Sequence, residues 1–130
     1  MPGARIERGE RVTLRTVERE DAAFVQRAYA DPDIRYPLGT VTHKNRHQIE
    51  DGFEDHIESE DNANFLVCLD SDDAGPGHPD EENVTPIGAV DVMHVRWDRP
   101  YLAYWLVPEH HGEGYGTEAV SLVIDSVFRT

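Results

Sequence analysis

With 130 residues, 38% of them hydrophobic, the chain is long enough to bury one core. Its 26 acidic residues against 12 basic ones leave a net charge of −14 at pH 7. A field of that sign disfavours nonspecific binding to nucleic acid or to an anionic membrane, and no apolar run approaches the ~20 residues that span a bilayer.

Arg11 to Val17 alternates, with Val12, Leu14 and Thr16 on one face and Arg11, Thr13 and Arg15 on the other. That pattern predicts a first strand with one polar face. From Glu18 to Ala30 the period is helical, with Ala22, Val25 and Tyr29 sharing a face and acids crowding the first turn. Asp31-Pro32-Asp33 ends that helix. Thr42 is the expected cap of a second helix carrying Ile49, Phe53 and Ile57 at four-residue spacing. Its apolar stripe is thin, so it should lie at the surface. Asn64 to Leu69 predicts a second strand, and Asp70 to Val84 an acidic loop with Gly and Pro. Pro86 to Val95 predicts a third strand, followed by a turn over Arg96 to Pro100. Tyr101 to Val107 is a fourth strand, apolar enough to suit burial on both faces. The last helix runs from Gly114 to Phe128, with Ala119, Val120, Val123, Ile124 and Val127 as its apolar stripe. The expected order is β-α-α-β-β-β-α in a single domain over residues 1–130.

The fourth strand runs through Pro108-Glu109-His110-His111 into Gly112-Glu113-Gly114-Tyr115-Gly116-Thr117, and this turn opens the last helix. Glycines let backbone N–H groups approach a ligand, and a helix N-terminus adds unpaired donors and partial positive charge. Together they form a seat for a phosphate or pyrophosphate. The spacing is neither the dinucleotide fingerprint nor a P-loop, since no Lys-Ser or Lys-Thr follows.

The block from Tyr104 to Ala119 resembles the acetyl-CoA loop of the GNAT N-acetyltransferase superfamily. His111 stands where the family has Gln or Arg, Gly114 at its first glycine and Gly116 at its second. The Tyr104-Trp105 strand, Pro108-Glu109 and the Gly114-to-Ala119 run look closest to the branch that acetylates N-terminal amines of ribosomal proteins. Leu14-Arg15, Asp31-Pro32 and Ile87-Gly88 follow in the family's order. The resemblance implies an α/β (α+β) fold with a mixed, mostly antiparallel sheet flanked by helices. It implies an acetyl-CoA-dependent N-acetyltransferase in which a primary amine, of a protein N-terminus or a small molecule, attacks the thioester directly. Backbone groups of Gly112, Glu113, Gly114, Tyr115, Gly116 and Thr117, with His111, would hold the pyrophosphate. Main-chain groups of Trp105, Leu106 and Val107 would pair with the pantetheine arm.

The departures from the family are specific. Tyr101 stands where that branch often has a glutamate, so the catalytic base is unassigned, with Asp91 and His94 on the third strand as substitutes. The chain ends fourteen residues after Gly116. The family continues there with a strand, a helix and a final strand pair, so the expectation is a domain incomplete at its C-terminus. That leaves the fourth strand as an apolar sheet edge. The alternative is therefore an inactive, truncated interaction module, dimerising through that strand.

The remaining features are read from the residues alone. Asp70, Asp72, Gly75 and Glu81 echo a calcium loop, but Ala74 stands where an acid belongs, and a solvated acidic loop is the expectation. His43 and His47 have a zinc-compatible spacing with no third ligand in view, so no metal site is expected. Cys68 lies alone in an apolar run, which predicts a buried filler. Met1-Pro2-Gly3 has no signal-peptide pattern, and a cytoplasmic location is the default. The carboxylate excess resembles proteins of salt-loving archaea. Eleven of the twelve basic residues are Arg, and Lys44 is the only lysine.

Overall fold

The computed structural model describes residues 2–35, 43–53, 57–58, 61–71, 74, 83–93 and 101–128. Five strands form one sheet in the order β1-β2-β3-β4-β5: Arg5–Arg8, Thr13–Arg15, Ala63–Asp70, Val84–Met93 and Tyr101–Leu106. Every neighbouring pair is antiparallel. Four short helices lie between β2 and β3: α1 (Ala22–Val25), α2 (Arg27–Ala30), α3 (Pro32–Arg35) and α4 (Arg46–Asp51). The longest, α5, spans Tyr115–Phe128 after a 3-10 turn at Pro108–His110.

The core lies between β3, β4 and α5. Phe65, Val67, Val90 and Val92 are buried there with Ala119 and Val123 of α5. Burying a side chain of that kind stabilises by about 1.5–3 kcal/mol. A smaller cluster joins Ala22 of α1 to Ile49 and Phe53. The three long strands β3, β4 and β5 and the covering helix agree with the sequence expectation.

Several expectations need correction. β1 was not foreseen: Arg-Ile-Glu-Arg carries one apolar residue, and only its pairing with β2 makes it a strand. The segment from Glu18 to Ala30 is not one helix. A 3-10 turn at Arg19–Asp21 precedes α1, and Gln26 separates α1 from α2. The chain then starts a new turn at Pro32, where proline needs no N–H partner. Asn45, not Thr42, caps α4: its Oδ1 accepts from Gln48 N at 2.9 Å, and Gln48 Oε1 accepts from Asn45 N at 2.9 Å. Thr42 lies outside the described residues, as do the turn at 96–100 and most of the acidic loop at 72–82.

Of the polar face of the first predicted strand, only Arg11 is exposed. Thr13 is buried and Arg15 is fully buried. Arg15 Nη2 lies 2.8 Å from Asp70 Oδ2, Arg5 Nη2 3.0 Å from the same oxygen, and Thr13 Oγ1 donates to Asp70 Oδ1 at 2.7 Å. Burial opposes ionisation of Asp70, but the donors Arg15, Thr13 and Arg5 outweigh it and hold its carboxyl below the ordinary value.

β5 is the sheet edge that was expected, but it is not buried on both faces. Tyr101 is 62% exposed and Tyr104 50%, and only Trp105 is buried. The strand pairs with β4 on one side and is the sheet's edge on the other, so its apolar outer half is not covered among the described residues. Cys68 is fully buried as expected, and burial pushes its thiol pKa far up.

Candidate functional site

The turn after β5 has the backbone its glycines predict. Gly112 and Gly114 adopt φ values of 80° and 81°, where other L-residues are strained. Gly116 has a different reason to be glycine: a Cβ there would stand 3.2 Å from Tyr104 Cε2. The N–H of Glu118 bonds back to Gly114 O at 3.2 Å, so the turn feeds directly into α5. The amides of the first turn of α5, preceding that bond, have no helical acceptor.

The turn is braced from the β1–β2 hairpin. Glu118 Oε2 accepts from the amides of Arg11 and Val12, both at 2.9 Å, and Oε1 accepts from Arg11 Nε at 3.1 Å. Arg11 Nη1 donates to Glu113 O at 2.6 Å, and its guanidinium lies 4.9 Å over the Tyr115 ring. Burial works against ionisation of Glu118, but these donors outweigh it and keep its carboxyl below the ordinary value.

A cavity of about 490 Å³ opens in front of the turn. Of the ten residues expected to bind cofactor, eight line it: Trp105, Leu106, His111, Gly112, Gly114, Tyr115, Gly116 and Thr117. Val107 does not; it is buried, and its N–H bonds to Ile87 O at 2.8 Å. Glu113 does not either, since its carbonyl is turned to Arg11. Alternation along the edge strand turns the peptide groups of Trp105 toward β4 as well, so Leu106 is the position facing outward. His111 Nε2 lies 2.9 Å from Leu106 O. A carbonyl only accepts, so this nitrogen carries the proton.

A second cavity, of about 260 Å³, lies on the other face of the sheet against α1, α2 and α4. Its polar lining includes Tyr29, Lys44, Gln48, Asn64 and Asp91. Register places Asp91 between Asn64 of β3 and Ala103 of β5. Burial alone pushes the Asp91 carboxyl up to about 7. Burial, then the charge of Asp91, raises the Tyr29 hydroxyl. Lys44 Nζ lies 4.6 Å over the Tyr29 ring. Trp105 lines both cavities, with Phe24 stacked on its ring at 5.1 Å.

Asp91 was a sequence candidate, and the structure puts it in a cavity; His94 lies outside the described residues. Tyr29, Lys44, Arg11 and Glu118 were missed. A signal existed for Lys44, the chain's one lysine, and Asp91 is the one charge in the run Gly88 to Met93. His43 and His47 are exposed, and His47 pairs with Asp51 at 3.3 Å. Among the described residues no three His, Cys, Asp or Glu side chains gather to hold a metal. No helix among them is long and apolar enough to cross a membrane.

Residues 11–130 match the family described as acetyltransferase (GNAT) domain. No curated protein matches the chain. Among solved structures, the spermidine N-acetyltransferase of Vibrio cholerae, crystallised with CoA and spermine, superposes with a TM-score of 0.73 at 20% identity, covering 93% of this chain and 66% of that one. A GNAT-family acetyltransferase of Bacillus anthracis gives 0.65 at 16% identity, covering 94% and 65%. A domain from Methanocaldococcus jannaschii gives 0.67 at 15%, covering 88% and 68%. The chain thus spans about two thirds of the length of these structures.

Proposed function

Since the chain belongs to the GNAT acetyltransferase family, we propose that residues 1–130 act as one domain transferring an acetyl group from acetyl-CoA to a primary amine. The observation that carries this reading is the wall at Trp105. On one side lies a glycine turn whose free amides suit a pyrophosphate, and on the other a cavity holding an unpaired carboxylate.

The turn fits the group chemically. Its two positive-φ glycines and the start of α5 present N–H donors, and no Lys or Arg occurs between Tyr101 and Phe128. Anion binding there relies on backbone donors and the helix end. His111 and Leu106 line this cavity and are joined to each other, and the outward N–H of Leu106 is the candidate partner of the pantetheine arm.

Acetyl-CoA supplies an activated thioester. The ammonium first gives one proton to the base; the N–C bond then forms as the C–S bond breaks, the nitrogen sheds a second proton to solvent, and the thiolate takes one. Asp91 is the base in this reading. A carboxylate titrating near 7 is ionised about half the time at neutral pH and takes a proton from an ammonium better than an ordinary one. The resemblance to the ribosomal-protein branch favours a protein N-terminus, and the size of the Asp91 cavity favours a small amine. The carboxylate surplus suggests work in concentrated salt, and a lone buried thiol fits the cytoplasm.

Calorimetry with acetyl-CoA in molar salt tests the reading. Binding is expected, and its loss in Gly114→Trp; a folded wild-type sample that binds nothing removes cofactor use. A second reading is favoured by the exposed Tyr101, Leu102 and Tyr104 on the edge strand: dimerisation through β5. Light scattering over a concentration series reports it, and a monomer throughout rejects it.

A further inference from the structure

We propose that the acceptor is a zwitterionic amine, its ammonium entering against Asp91 while a carboxylate at its other end meets Lys44. This rests on the acetyltransferase reading and narrows its substrate class. Asp91 and Lys44 are the two charged residues among the described lining of the 260 Å³ cavity. They flank Tyr29: the Lys44 ammonium lies over its ring, and the Asp91 charge acts on its hydroxyl.

Neither charge is neutralised by the protein among the described residues. Asp91 makes no hydrogen bond or ion pair there. Among the described residues Arg5, Arg11, Arg15, Arg19, Arg27 and Arg46 each meet a carboxylate; exposed Arg8 does not, and the Lys44 ammonium, which faces the cavity, meets an aromatic ring instead. In a chain with 26 acidic residues, an unmatched lysine facing the same cavity as an unmatched aspartate is a specific arrangement. Opposite charges separated across a small, mostly apolar cavity are complemented by a ligand of opposite polarity with a short apolar body. Val25, Ile57 and Met93 are among the apolar residues that line the same cavity. A diamine of the same length would bring its second ammonium toward Lys44, and like charges in a partly desolvated site repel strongly.

The test uses three amines with one four-carbon body: 4-aminobutyrate, butylamine and putrescine. Calorimetry without acetyl-CoA reads binding, and thiol release with acetyl-CoA reads transfer, both at the lowest salt in which the chain stays folded. The expected order is 4-aminobutyrate, then butylamine, then putrescine, with at least a tenfold gap between the first and last. Lys44→Glu should invert the first and last, and Lys44→Met, which keeps an apolar stem over Tyr29, should remove the gap. Putrescine binding as well as 4-aminobutyrate in the wild type, an order indifferent to both variants, or no binding of any of the three to folded protein overturns the proposal. Ordered binding without thiol release would sink the transfer reading, and with it the role of acceptor, and leave only the cavity's preference for a zwitterion. Preferred transfer to putrescine would do the reverse.

Discussion

Replacing Asp91 with Asn should abolish transfer and yet make the protein more stable above neutral pH. In the unfolded chain this carboxyl ionises near its ordinary 3.8; in the folded protein burial holds the proton until about 7. Below pH 3.8 both forms are protonated and ionisation costs nothing. As pH rises, the unfolded chain releases the proton first, so the stability contributed by this group falls until about pH 7 and is flat above it. A gap of roughly 3 units, at about 1.36 kcal/mol each, gives an upper limit of ~4 kcal/mol. The cavity admits water, which lowers that figure, and an unpartnered Asn amide carries a burial penalty of about 1–3 kcal/mol. The net gain for Asp91→Asn is then about 1–3 kcal/mol above neutral pH, or roughly 3–15 °C in Tm for a chain of this size. Thermal melts of both proteins in molar salt, from near pH 4.5 to near pH 8, measure it. The difference should be smallest or reversed at the acid end and grow through neutrality. A difference that does not vary with pH would refute the assignment of a buried, proton-holding carboxyl at this position.

Gly114→Ala should weaken acetyl-CoA binding at least tenfold in calorimetry. It places a Cβ at φ +81° and 3.1 Å from Arg11 Nη2, and the left-handed backbone alone costs about 1–2 kcal/mol. Asp70→Asn should destabilise the fold by ~3–5 kcal/mol in urea titrations, because it removes the charge on which Arg5, Thr13 and the fully buried Arg15 converge. Asp70 and Glu118 are both held below their ordinary values. Their contribution is present above the unfolded pKa and is lost as pH falls through the lowered one, so acid titration should unfold the protein cooperatively at low pH. Cys68 should resist a thiol reagent near pH 8 in the native protein and react fully in denaturant, since it is buried and its pKa is raised. Rapid native labelling would place that strand face in contact with solvent.

Much of the architecture was legible locally. The apolar runs at Asn64 to Leu69 and Tyr101 to Val107 and the 3.6-residue stripe of the last helix each specify an element without help from the rest of the chain. The glycine turn was legible for the same reason: positive φ at Gly112 and Gly114 is a demand on single residues. The polarity of the Arg11 to Val17 strand misled because an arginine is exposed by default, and partners distant in the chain, Asp70 of β3 and the Gly3 carbonyl, offset the burial of Arg15. For β5 the expected edge position holds, but its apolar run alone matched burial on both faces, and exposure depends on which strands and helices pack against it.

The candidate acceptor cavity was the least visible feature. Tyr29, Lys44, Asn64, Asp91 and Trp105 come from a helix, a helix approach and three strands, and they meet through register and helix placement. By itself, then, the sequence determined the strand-turn-helix that presents backbone donors, because those requirements lie within one contiguous stretch. Tertiary structure decided which charges are buried and paired and which are left facing a cavity. Charge pairing and burial depend on distances between segments far apart in the chain, and no local pattern encodes them.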